Sequence, residues 1–202
     1  MLSTTTISKF VSLRYLPNVL GKLFTMLCLL AIGGQAISAE PAKPVKELIL
    51  PGESFLVGDR PAFIFWPEES KRTTPQPWVF YGPTLPGYPD SHEKWMHEQF
   101  LAAGIAVAGI DVGEGYGSPA SQKAFTELYN LLTEKRGFSK RPCMLGRSRG
   151  GLWVTSWANA NPDKVSGIAG IYPVYDFRTY PAIEKAALYG LTAAEPQPVG
   201  RI

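Results

Sequence analysis

Five short apolar runs, each set between turn-forming or polar residues, are the clearest pattern along the chain. Short runs that are rich in aromatic and branched side chains are typical of β-strands. We therefore predict strands at residues 61–66, 78–81, 105–110, 142–145 and 165–171. The third run, IAVAGI, contains no polar side chain, as expected of a strand that is covered on both faces.

Segments with helical spacing separate these strands. Ser91 is the candidate N-cap of a helix that ends near Ala103. Pro119 opens a second helix, in which apolar residues recur at positions i, i+3, i+4 and i+7: Phe125, Leu128, Tyr129 and Leu132. A third helix is expected from the fourth strand to about Ala160, and a last helical stretch ends near Tyr189. The alternation predicts an α/β fold, a mostly parallel sheet with helices on both faces.

Charge is distributed unevenly along the chain. The formal net charge is +3, but residues 1–39 contain Lys9, Arg14 and Lys22 and no acidic residue. Without them the 20 basic residues fall to 17, which equals the number of acidic residues. The remainder is formally neutral, so its charge gives no indication of a nucleic-acid partner. A composition of 45% hydrophobic and 18% charged residues excludes wholesale disorder.

The N-terminal segment resembles a secretory leader. Its basic residues precede an apolar run at 23–32, and small residues follow up to Ala39. The run is too short to span a membrane comfortably, and the pattern is typical of a signal peptide. We predict a signal peptide at 1–39, a linker and first strand region at 40–60, and one domain at 61–202. The expected location is periplasmic or extracellular with no stable anchor after cleavage; an uncleaved N-terminal anchor is the alternative.

The residues Gly146-Arg147-Ser148-Arg149-Gly150 match the pattern G-x-S-x-G. A predicted strand precedes them and a predicted helix follows them, which is the setting in which a serine is exposed on a sharp turn. Glycines at both ends let the strand and the helix approach each other closely. The backbone N–H of Arg149 then lies at a helix N-terminus, where it can stabilise an oxyanion. The alternative is a plain turn with an exposed serine.

This motif, together with residues 78–90 and 105–119, resembles the α/β-hydrolase superfamily, especially its dienelactone-hydrolase and prolyl-oligopeptidase-like branch. The resemblance extends over about residues 61–175. It implies that Ser148 is the nucleophile and that Arg149 and either Thr84 or Leu85 donate N–H groups to the oxyanion. It also implies a small-molecule ester or peptide as the substrate, with no cofactor and no metal.

The chain departs from the family pattern in its acid and base. The family order is serine, then an acidic residue, then histidine, but the two histidines, His92 and His97, both precede Ser148. His92 is placed near the carboxyl edge of the sheet by its position, with a surface or capping role as the alternative. Asp176 follows the last predicted strand, where some members carry the acid; a turn aspartate is the alternative.

These departures predict a fold that is incomplete at its C-terminal side. The strand at 165–171 would then have an unpaired edge that favours self-association. Two functions remain open: a serine hydrolase that acts through an acyl-Ser148 intermediate, and a catalytically inactive remnant or binding protein.

Two further motifs have less favourable contexts. His92 and His97 are five residues apart, about 140° round a helix, and so cannot share a metal as an i, i+4 pair does. Residues 115–120 fit the dinucleotide pattern G-x-G-x-x-A, but the acidic residue at the required distance, Glu134, falls within a predicted helix. Arg147 and Arg149 are candidates for contacting an anionic group, with solvent exposure or ion pairing as the alternative.

Overall fold

A computed structural model describes residues 45–192, which contain a single six-stranded sheet. The strands are β1 (Gly52–Val57), β2 (Arg60–Phe65), β3 (Trp78–Gly82), β4 (Ala106–Ile110), β5 (Cys143–Arg147) and β6 (Gly167–Ile171). Their order is β1-β2-β4-β3-β5-β6. The strand β2 runs antiparallel to β1 and β4, and the remaining pairs are parallel. The predicted mostly parallel α/β sheet is confirmed.

Three α-helices connect the parallel strands: α1 (Lys94–Ala102), α2 (Pro119–Asn130) and α3 (Gly150–Ala160). Pro119 opens α2 as predicted. The predicted cap at Ser91 is wrong. Asp90 caps the 3₁₀ turn that leads into α1, because its carboxylate accepts the N–H of His92 at 2.9 Å and Glu93 completes a capping box. The last helical stretch is a 3₁₀ helix, Ile183–Tyr189.

The core lies in two layers, one on each face of the sheet. On one face, Phe80 of β3 and Met144 of β5 pack against α2 and α3, which contribute Phe125 and Trp157. On the other face, aromatic and aliphatic side chains of β2, β3 and β5 pack beneath α1: Phe63, Phe65, Val79, Tyr81 and Leu145. Successive strand residues point to opposite faces, so each buried strand contributes side chains to both layers. The prediction of helices on both faces is confirmed.

The strand β6 lies at the end of the sheet. It pairs with β5, and among the described strands it has no neighbour on its other side. Gly167 to Gly170 are exposed, and Ile168 keeps 46% of its surface accessible, whereas every residue of β3 and β4 is buried. An apolar strand with a free edge is a template for pairing with another strand.

Substitution at this edge is expected to change the association state of the protein. A free β6 edge should give concentration-dependent association of the full chain, and Ile168→Lys should reduce it by placing a charge on the edge. Sedimentation velocity over a range of concentrations measures this, with Trp95→Lys, an exposed aromatic on α1, as the control. A wild type that stays monomeric throughout would contradict the expectation.

The predicted signal peptide at 1–39 lies outside the described residues, as do residues 193–202. Export, the cleavage site and the domain boundaries therefore stay predictions. Within residues 45–192, no helix is both long and apolar enough to cross a membrane.

Candidate active site

Ser148 lies in the tight turn between β5 and α3. Its φ is +51°, in the left-handed region that costs a non-glycine residue about 1 kcal/mol or more. Its N–H donates to the carbonyl of Ile171 at 3.0 Å, and its own carbonyl accepts from Gly151 at 3.0 Å and from Val174 at 2.8 Å. The turn is therefore held by the helix it starts and by the segment around the end of β6. This is the strand–turn–helix setting that the motif predicts.

Three glycines make this turn sterically possible. A Cβ on Gly150 would lie 2.2 Å from the carbonyl oxygen of Gly82 at the end of β3. A Cβ on Gly146 would lie 2.9 Å from the carbonyl oxygen of Gly150, and one on Gly151 would lie 2.5 Å from that of Val174. The glycines thus let β3, β5 and α3 meet beside the serine.

The backbone N–H of Arg149 lies at the N-terminus of α3. The first bonds of the helix are donated by the next residues, from Gly151 to Ser148 and from Leu152 to Arg149 at 3.1 Å. The N–H groups of Arg149 and Gly150 belong to the unsatisfied donors of a helix start, which favour negative charge. This placement suits the predicted oxyanion donor.

The other predicted donors lie in the loop after β3, residues 83–90, which we call the β3 loop. Thr84 is fully buried, and its hydroxyl donates to the carbonyl of Tyr81 at 3.2 Å. Leu85 is half-buried, and its carbonyl accepts the N–H of Tyr88 at 2.9 Å. Neither residue lines the cavity at Ser148, so their assignment as oxyanion donors stays a prediction.

Ser148 opens onto a small cavity of about 90 Å³. Its other lining residues are Pro83, Tyr88, Arg147, Arg149 and Tyr172. A neighbouring cavity of about 250 Å³ shares Arg147 and Tyr172 and is also lined by His92, Glu93, Met96 and Ile171. Both are smaller than typical ligand pockets, which hold roughly 300–1,000 Å³. In the described part of the chain, no three acidic, histidine or cysteine side chains are placed to hold a metal ion.

Arg147 is the charged centre between the two cavities. Its guanidinium lies 3.2 Å from the buried carboxylate of Glu93 and 3.9 Å from that of Asp90. Its Nε donates to the hydroxyl of Tyr172, and this bond raises the pKa of Arg147 above its ordinary value. The carboxylates of Glu93 and Asp90 compensate the charge of the guanidinium. Arg147 is therefore ion-paired within the protein, which is the alternative that the sequence left open.

Arg149 is also ion-paired, through a guanidinium that bonds to Glu114. That bond raises the pKa of Arg149. Glu114 belongs to the glycine-rich loop between β4 and α2, so the pair joins this loop to the turn that carries Ser148.

Comparison with solved structures identifies this architecture. S-formylglutathione hydrolase from Agrobacterium tumefaciens superimposes with a TM-score of 0.53 at 15% identity, over 72% of this chain and 64% of its own. A puromycin-hydrolyzing peptidase of Mycobacterium tuberculosis gives 0.50 at 16% identity, over 64% of this chain and 24% of its own. The chain has an α/β-hydrolase fold. Neither the family models nor the curated proteins give a match.

This chain matches only part of the length of each solved structure. The described similarity spans 64% of the S-formylglutathione hydrolase and 48% of Est1E from Butyrivibrio proteoclasticus, which is 18% identical over 58% of this chain with a TM-score of 0.46. The S-formylglutathione hydrolase and the peptidase confirm the predicted resemblance to α/β-hydrolases at the level of the fold. A shared fold does not decide the activity.

The histidines of this α/β-hydrolase fold do not line the cavity at Ser148. His97 of α1 is fully buried between the rings of Phe65 and Tyr81, at centroid distances of 5.6 and 5.0 Å. Its ring nitrogens have no hydrogen-bond partner among residues 45–192. His92 is exposed and lines the neighbouring cavity. Neither is placed to accept the proton of Ser148 directly.

Asp176, the candidate acid, lies in an exposed turn after β6. Its carboxylate accepts hydrogen bonds from the guanidinium of Arg178 at 2.9 and 3.0 Å and from the backbone N–H of Arg178 at 2.9 Å. These bonds lower its pKa to about 2. Asp176 lines neither cavity, and the arrangement is that of the turn aspartate named as the alternative.

His97 should make the stability of the protein depend on pH. Burial lowers its pKa to about 4, whereas an unfolded chain has an ordinary histidine pKa of 6.5. Between these values the unfolded state binds the proton more tightly, so the free energy of unfolding falls as the pH drops from 6.5 to 4, by about 3 kcal/mol through this group.

Urea unfolding at pH 7 and at pH 4.5 measures this effect. The variant His97→Leu should lose less stability between the two pH values than the wild type. His92→Leu, at an exposed position, is the control and should behave as the wild type. Equal losses in His97→Leu and the wild type would show that His97 does not titrate as described.

Several residues at this site were not predicted from the sequence. Tyr88 and Tyr172 flank the serine, and Lys46, within the predicted linker and first strand region at 40–60, is buried against Asp111. Tyr172 directly follows the end of β6. Sites in α/β folds lie at the carboxyl ends of parallel strands, so the position of Tyr172 in the sequence could have indicated it. No local pattern indicates Lys46.

Proposed function

We propose that this chain is a serine hydrolase that cleaves an ester or peptide bond through an acyl intermediate on Ser148. The observation that carries the proposal is the left-handed Ser148 on the turn between β5 and α3, open to a cavity. The hydrolase and the peptidase with the same fold support it by analogy of fold.

In this mechanism the Ser148 hydroxyl oxygen attacks the substrate carbonyl. The negative charge on the carbonyl oxygen is stabilised by the N–H of Arg149 and by an N–H of the β3 loop, from Thr84 or Leu85. A general base takes the serine proton and gives it to the leaving group as that group departs. Water then attacks the acyl carbon and loses a proton to the same base, which returns it to the serine oxygen and restores the hydroxyl. The serine proton requires a base, and the residues that line the cavity include tyrosines and arginines but no histidine or carboxylate. The proposal therefore places the base outside the lining residues.

A second candidate is a binding protein or inactive remnant that retains the fold. Two observations favour it: both described histidines lie away from the cavity at Ser148, and Asp176 is paired with Arg178. A serine without a base reacts slowly, because removal of a triad member typically lowers the rate by several powers of ten.

Ester turnover separates the two candidates. We expect the full chain to hydrolyse p-nitrophenyl acetate over many turnovers, and Ser148→Ala to fall to the background rate. Ser70→Ala, at an exposed position of a 3₁₀ turn, should keep the wild-type rate. A wild type no faster than Ser148→Ala would favour the non-catalytic candidate.

A further inference from the structure

Lys46 carries a buried ammonium group close to the candidate active site. Only 3% of its side-chain surface is accessible. The Nζ atom donates to both carboxylate oxygens of Asp111, at 3.0 and 3.1 Å, and to the carbonyl oxygen of Leu85 at 2.5 Å. Three charge-assisted bonds satisfy the three donors of an ammonium group. Lys46 therefore has one fixed position, between the end of β4 and the β3 loop.

The carbonyl of Leu85 connects Lys46 to the cavity at Ser148. The same oxygen accepts the N–H of Tyr88 at 2.9 Å, which closes a turn with Pro86 and Gly87 at its centre. The ring of Tyr88 lines the cavity and lies 5.5 Å from the guanidinium carbon of Arg147. The ammonium group of Lys46 thus holds one end of a turn whose other end forms a wall of the site.

Asp111 gives this contact a rigid base. It directly follows β4, and burial raises its pKa while the ammonium of Lys46 acts in the opposite direction. Its backbone carbonyl accepts a bond from Arg60 at 3.3 Å, which joins it to β2. The β3 loop also packs directly on β4, since a Cβ on Gly109 would lie 2.6 Å from the hydroxyl of Thr84.

We propose that Lys46 is a positioning residue that anchors the β3 loop on the end of β4 and so sets the position of the loop beside Ser148. The consequence for catalysis rests on the proposed function, in which this loop donates one of the oxyanion N–H groups. The anchoring itself does not depend on that function, so the two can be tested separately.

Hydrogen exchange of the full chain tests the anchoring. Lys46→Met alone would leave Asp111 as an unpaired buried charge and would endanger folding. The informative variant is therefore Lys46→Met combined with Asp111→Asn, which removes both charges. We expect amide exchange in peptides that cover the β3 loop to rise roughly tenfold or more, while β3 and β4 stay protected.

Lys71→Met is the matched control, because Lys71 is exposed and its 3.9 Å pair with Glu68 lies on a surface turn. It should show wild-type exchange. Unchanged loop exchange in the double variant would overturn the anchoring.

The rate at which a fluorophosphonate modifies Ser148 tests whether the anchoring of the β3 loop matters for catalysis. If the wild type reacts and the double variant reacts roughly tenfold more slowly, the result supports a role of Lys46 in positioning the oxyanion site. An equal rate in both overturns that positioning role. A wild type that does not react counts against the proposed function, and the exchange result then decides the anchoring by itself.

Discussion

Gly150→Ala is expected to destabilise the protein by about 3 kcal/mol or to prevent folding. The added Cβ would lie 2.2 Å from the carbonyl oxygen of Gly82, 2.3 Å from its carbonyl carbon and 2.5 Å from the nitrogen of Pro83. All three are backbone atoms at the end of a central strand, so no side chain can rotate away. Relief requires α3 to move off β3, which would open the packed layer of Phe80, Trp153 and Val154.

Urea unfolding measures the loss, with Gly87→Ala as the matched control. A Cβ on Gly87 meets no atom within 4 Å, and its φ lies outside the left-handed region. This variant should unfold within about 0.5 kcal/mol of the wild type. A Gly150→Ala variant as stable as the control would show that β3 and α3 do not approach as closely as described.

The elements of the fold could largely be predicted from the sequence, because their determinants are local. A buried parallel strand such as β4 is apolar throughout, and Pro119 with the following apolar spacing determines α2. The strand β1 contains Glu53 and Ser54 and shows no such run. It is defined by antiparallel pairing with β2, so the sequence indicated only a first strand region.

The caps and the strand order were less accessible to prediction. Asp90 and Ser91 are adjacent residues that both favour the N-cap position, and the choice of Asp90 depends on the reciprocal bond from Glu93. The position of β4 between β2 and β3 is set by crossover connections, which no single segment encodes.

In the candidate site, too, local features could be predicted from the sequence and long-range contacts could not. Ser148 could be predicted because its motif, strand and helix are contiguous in sequence. Lys46 could not, because its partners Leu85 and Asp111 lie 39 and 65 residues away and the contacts exist only once the sheet is formed. The Pro-rich sequence that leads to Lys46 was interpreted as a linker and gave no indication of a buried residue.

Covalent capture of Ser148 is expected to show the second large effect. A fluorophosphonate contains an electrophilic phosphorus that an activated serine attacks, with loss of fluoride and formation of a stable phosphonyl-serine. Ser148 lies in a left-handed turn and lines a cavity, and α3 begins directly after it, so that a helix N-terminus would favour the developing charge. Ordinary surface serines lack both features, so modification should be confined to Ser148.

The most direct test is the mass of the full chain after incubation with a fluorophosphonate, followed by mapping of the modified peptide. We predict one adduct per chain, located on Ser148, with Ser70→Ala modified as fully as the wild type and Ser148→Ala not modified at all. A wild type that gains no adduct, or an adduct that persists in Ser148→Ala, would contradict the assignment of Ser148 as the nucleophile.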